Sequence, residues 1–171
     1  EVFASYGLDV EKASAVELVE RIQASSIAVP LADGIDTLTR LRMRIAAQPD
    51  PLSQKLGRIA ELADPDPHRM AIRRALLAAD VDALQSMAEG DEMYCSSART
   101  VATLAATLSS LGRKGAAIGL LRRSVFLFPN DFRVGHDLGS MLRQRRRVST
   151  ETVQLASMGV ALRPNSAHAL A

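Results

Sequence analysis

The sequence predicts an all-α protein: antiparallel helix pairs in its second half, preceded by a more divergent helical half. Three observations carry this reading. The first is composition. Of 171 residues, 47% are hydrophobic but only 4% aromatic, with 27 Ala and 22 Leu against four Phe, two Tyr and no Trp. Small and branched aliphatic side chains suit close helix packing better than a β-sandwich or barrel, which needs more β-branched and aromatic residues. The second is periodicity, with apolar residues recurring every three or four positions. The third is punctuation, because Pro-, Gly- and Asp-containing breaks separate those runs.

Ser14 and Glu17 fit a capping box, followed by Val16, Val19 and Ile22 at helical spacing. This helix is expected to end near Ser25 and Ser26. Pro30 is acceptable in the first turn of the next helix. There Leu31, Ile35, Leu38, Leu41 and Ile45 form one apolar face, and Pro49-Asp50-Pro51 stops it. Ser53 is a candidate cap for a third helix lined by Leu56, Ile59, Ala60 and Ala63. Asp64-Pro65-Asp66-Pro67 forms the next break, since the residue before a proline is pushed out of the helical region. Two short helices are expected over 67–78 and 80–88, with Asp80 as a cap between them. Gly90-Asp91 closes this half. The best strand candidate, "SVFLF" at 124–128, continues a helical period from Ile118 and Leu121.

The length suits one domain or two small ones. The apolar content excludes general disorder, and a single Cys95 excludes a disulfide scaffold. No run of about 18 apolar residues is present to span a membrane. Residue 1 is Glu, and no charged segment followed by an apolar one opens the chain, so we read it as an internal piece of a longer protein. Its compartment is expected to be cytoplasmic. Charge is unevenly placed. Residues 1–90 hold 10 Lys/Arg against 14 Asp/Glu, whereas residues 91–171 hold 11 against 5, balances of −4 and +6. The basic half suits an acidic peptide, a phosphorylated segment, nucleic acid or the chain's own acidic half.

The second half contains a repeat. Leu127-Phe128-Pro129-Asn130 returns as Leu162-Arg163-Pro164-Asn165, 35 positions later. Ile118, Leu120 and Val125 align with Val153, Leu155 and Val160, and Leu104-Ala105 aligns with Leu138-Gly139. A period near 34 residues, with two helices and then a proline, resembles the tetratricopeptide repeat. The resemblance implies a right-handed solenoid of helix pairs. Gly139, Ala105 and Ala117 would leave room where neighbouring helices cross, and the proline would end each second helix. One repeat covers 98–131 and a second 132–166, with an extra residue near Arg145–Ser149. A third begins at Ala167. The domain division is therefore 1–92 and 93–171. Val101, Leu108, Gly135 and Leu142 stand where the family prefers Trp and Tyr, and Thr152 replaces the second-helix Ala.

A wider resemblance covers most of the chain. "YGLDVE" at 6–11, "GIDTLTRLR" at 34–42, "ADPDPHRMAIRRAL" at 63–76 and "AAIGLLRRSVFLFPNDFRVGHDLG" at 116–139 resemble the region beyond the catalytic domain in bacterial serine/threonine protein kinases of the planctomycete type. A Trp expected near Leu38 and an aromatic residue near His68 are absent. The resemblance implies a protein-binding tail of a signalling kinase, not a catalyst.

No kinase catalytic motif is present. The chain lacks a glycine-rich phosphate loop after a strand, a catalytic-loop H-R-D and a D-F-G. Asp131-Phe132-Arg133 and His136-Asp137 fall at a helix start with the wrong flanks. Gly112, Gly115 and Gly119 near Lys114 are expected in a turn between helices, not in a phosphate-binding loop. His68, His136 and His168 lack metal-ligand spacing. Cys95, in a turn before a helix, lacks an obvious base and reads as an inert thiol. Asp64 and Asp66 read as caps. No catalytic residue, metal or cofactor is assigned.

Arg143, Arg145, Arg146 and Arg147 form the densest basic run. The plain reading is a solvated helix end, where positive charge complements the helix dipole. Aromatic residues do not interleave with it, so nucleic acid is not expected. Arg146-Arg147-Val148-Ser149 resembles a site for basophilic kinases, although Ser149 is more simply a helix cap. On the tetratricopeptide register, the groove faces carry Arg99, Ala102, Thr103 and Ala106, then Arg133, His136, Asp137, Ser140 and Arg143. The Lys and Asn of carboxylate-clamping repeats are missing at Ala102 and Ala106, so chaperone-tail binding is not implied. The candidate peptide groove is Arg99, Thr103, Arg133, His136, Asp137, Ser140 and Arg143, suited to an acidic or phosphorylated peptide. The expected function is a non-catalytic interaction module. The alternative is a structural or oligomerisation segment, with the end around Ala167–Ala171 packing on the chain or on another copy.

Overall fold

The structure, a computed structural model, describes residues 10–46, 49–143 and 150–163, with backbone alone at Tyr94 and Cys95. Among them the secondary structure is helical, with no strand. The "SVFLF" segment belongs to a helix through Leu127. The chain divides into two compact units, Glu1–Val81 and Asp82–Ala171. Among the described residues no helix is long and apolar enough to cross a membrane.

In the first unit, α1 is Ala15–Gln23, α2 Ala28–Ala46, α3 Pro51–Ala63 and α4 Pro67–Leu77. The capping box forms as read. Ser14 Oγ accepts from the Glu17 amide at 3.2 Å, and a Glu17 carboxylate oxygen accepts from the Ser14 amide at 2.9 Å. That reciprocal bonding satisfies two amides at the helix start and holds the Glu17 carboxyl below its ordinary range. α3 packs against α1, α2 and α4. Its Leu56, Ile59 and Ala60 meet Leu18, Val19 and Ile22 of α1 and Leu31 and Ile35 of α2 in the core.

Three expectations change here. Val16 is 63% exposed, and α1 buries Leu18 beside Val19 and Ile22 instead. The buried face of α2 is Leu31, Ala32, Ile35, Asp36, Thr39 and Met43, while Leu41 and Ile45 face solvent. Two polar residues can occupy that face because both are satisfied there. Thr39 Oγ1 donates to the Ile35 carbonyl at 2.9 Å, and Asp36 is ion-paired. The cap of α3 is Asp50, whose carboxylate accepts from the Ser53 amide at 2.8 Å; Ser53 lies buried inside the first turn.

α4 ends in a turn that reverses the backbone at Ala79, whose φ is +54°. The Asp80 amide donates to the Ala75 carbonyl and the Ala79 amide to the Leu76 carbonyl. This is the Schellman pattern, in which glycine normally takes the left-handed position.

The second unit holds most of α5 (Val81–Glu89), a 3-10 turn at Asp91–Cys95, then α6 Ala98–Ser110, α7 Lys114–Leu127, α8 Phe132–Arg143 and α9 Thr150–Leu162. Ser97 caps α6 by accepting from the Thr100 amide, and Asp131 caps α8 by accepting from the Arg133 and Val134 amides. α6 packs against α7 and α8, α7 also against α8, and α8 against α9. Leu104, Leu108, Leu120, Leu121 and Leu138 are among the fully buried side chains. Gly112 occupies the left-handed position after α6, with φ +79°. Gly115 and Gly119 differ from expectation: both lie inside α7, not in the turn. The repeat turn near Arg145–Ser149, Pro164 and Asn165, and the segment from Ala167 lie outside the described residues.

Candidate interaction surfaces

The residues read as a peptide groove occupy α6 and α8, two helices that pack together. Arg99 and Thr103 are one turn apart on α6. Arg133, His136, Asp137, Ser140 and Arg143 recur at three- and four-residue steps on α8, so each helix presents its set on one face. Arg133 and Arg143 are exposed, whereas Arg99, His136, Asp137 and Ser140 are half-buried. Thr103 is buried, and its hydroxyl donates to the Arg99 carbonyl at 2.9 Å. The His136 ring stacks on Phe132 with centroids 5.2 Å apart, and the Arg163 guanidinium lies 4.9 Å from the Phe132 centroid. Ala102 is buried as well. Arg145, Arg146, Arg147, Ser149 and His168 lie outside the described residues.

A second surface was not anticipated. A groove of about 590 Å³ runs between α7 and α9, with Leu138 of α8 among its lining residues. Val125, Phe126 and Pro129 line one side, and Leu155 and Met158 the other. Phe126 is 83% exposed. α9 lies close to α8 because α8 carries glycines facing it: a Cβ on Gly139 would stand 3.6 Å from Leu155 Cβ, and one on Gly135 would overlap the Met158 methyl. The sequence held one signal for this groove. Val125-Phe126-Leu127-Phe128 is apolar at four consecutive positions, more than one stripe of a helix can bury.

One polar link crosses between α7 and α9. Arg122 donates from Nε to Glu151 Oε1 at 2.8 Å and from Nη2 to Oε2 at 2.7 Å. This two-pronged pairing raises the guanidinium's proton affinity and holds the Glu151 carboxyl below its ordinary value of 4.5. Both side chains remain substantially exposed, so solvent screens the pair.

The first unit contains a buried ionic cluster that the sequence reading also missed. Asp64, read as a cap, has its carboxylate in the interior, where Arg69 Nε and Nη2 each approach it at 2.6 Å. Arg73 Nη2 reaches the same carboxylate at 2.8 Å, and Arg73 also pairs with Asp36. Asp66 does cap α4, accepting from the Arg69 amide at 2.9 Å. The Asp64 hydrogen bonds hold Arg69 above its ordinary proton affinity. At Arg73 burial is the strongest influence and acts downward, but the pairs with Asp36 and Asp64 together outweigh it. Asp66 also pairs with Arg69, at 3.4 Å, so two arginines and three aspartates form a mutually bonded structural lock.

Comparison with protein-family models, with curated proteins and with solved structures finds no match for this chain.

Proposed function

We propose that the chain is a non-catalytic protein–protein interaction module whose second unit is a tetratricopeptide-like solenoid. The observation that carries this reading is the packing order in that unit. α6 packs on α7 and on α8, and α8 packs on α9, the order expected when the first helix of each repeat meets its own partner and the next first helix. Glycines where α8 meets α9, and Pro129 after α7, support the same reading. The resemblance of residues 116–139 supports placing the chain in the tail of a bacterial serine/threonine protein kinase of the planctomycete type, acting in the cytoplasm.

The ligand of the α6–α8 face is an acidic or phosphorylated peptide, held by charge-assisted bonds from Arg99, Arg133 and Arg143. The test is capture from lysate by the chain and by an R99E/R133E/R143E variant with an unchanged circular dichroism spectrum. A protein retained by the first and lost by the second supports the assignment. Equal capture by both removes the ligand from this face.

A structural or oligomerisation role is the second reading. Its support is the exposure of large apolar side chains, with Ile45 at 82% and Phe126 at 83%. Mass that rises with concentration in light scattering, without peptide capture, would favour it.

A further inference from the structure

We draw no further inference here: the strongest candidate, the apolar groove between α7 and α9, has a lining whose charges balance, Arg122 against Glu151, and nothing in the structure shows what covers it.

Discussion

Arg73 meets Asp36 edge to edge, with Nε 2.8 Å from Oδ1 and Nη2 2.9 Å from Oδ2, and so joins α4 to α2. The same guanidinium donates from Nη1 to the Asp64 carbonyl at 2.8 Å, at the end of α3. Arg73 is 3% exposed and Asp36 5%. One side chain thus ties three helices together in a region water does not reach.

Removing one member of this pair should be costly, because the other is left buried with its charge uncompensated. Asp36→Ala and Arg73→Ala are each expected to lower stability by about 3–5 kcal/mol. The double variant Asp36→Leu/Arg73→Met should lose less than the two single losses combined, since no unpaired charge remains at that contact. Urea denaturation at neutral pH measures all three. A loss below about 1 kcal/mol for Arg73→Ala would show that the cluster is not under this constraint.

Two helix ends use the same turn with different residues. Gly112 and Ala79 both have positive φ, +79° and +54°, and both turns carry the paired amide-to-carbonyl bonds. A left-handed backbone strains any residue with a Cβ, by roughly 1–2 kcal/mol. Glycine recovers that strain but adds freedom to the unfolded chain. Ala79→Gly should therefore raise stability by about 0.5 kcal/mol, and Gly112→Ala should lower it by about 1 kcal/mol. Nothing lies within 4 Å of a Cβ built at Gly112, so its loss would report backbone conformation alone. Thermal unfolding of both variants checks the opposite signs.

Gly139 tests how closely α8 and α9 approach. An added Cβ would sit 3.6 Å from Leu155 Cβ, an ordinary contact. Gly139→Ala should thus be tolerated and gain up to about 1 kcal/mol of helix propensity. Gly139→Leu should destabilise by about 1–3 kcal/mol or more through overpacking. Ala105, which aligns with Gly139 in sequence, is fully buried on α6 with its methyl in place.

Acid should loosen the link between α7 and α9. Glu151 has a folded-state proton affinity below the ordinary 4.5, so its contribution is present above about pH 4.5 and is lost as pH falls through the lower folded value. Arg122 is raised from an already high value, so no matching loss occurs at accessible alkaline pH. Glu151→Gln should cost less than about 1 kcal/mol at pH 7, because the pair is solvent-exposed. Its stability should also fall less steeply than that of the unmodified chain between pH 5 and about pH 3. Parallel pH curves for the two proteins would remove Glu151 from this role.

The helices were legible because their signals are local. Ser14 with Glu17, the two Pro-rich breaks, and the spacing of Leu56, Ile59 and Ala60 all act within a turn or two of chain. The errors share one cause. Periodicity ranks residues around a helix but does not say which arc another helix will cover. On α2 the most apolar reading selected Leu41 and Ile45, yet the covered arc includes Asp36 and Thr39. Asp64 does cap the C-terminus of α3, as its place before a proline suggested, but nothing nearby revealed that two arginines would close over its carboxylate.

The sequence by itself determined the all-helical character, the main breaks, the capping box at Ser14 and the positions of α6 to α9, because main-chain hydrogen bonds and caps depend on near neighbours. Tertiary structure alone decided the burial of Asp36 against Arg73, the exposure of Ile45 and Phe126, and the groove between α7 and α9. Those outcomes depend on residues far apart in sequence, 37 positions for Asp36 and Arg73 and 29 for Arg122 and Glu151. Only packing excludes water from such contacts, and water exclusion is what turns a polar or apolar residue into a buried partner or an open surface.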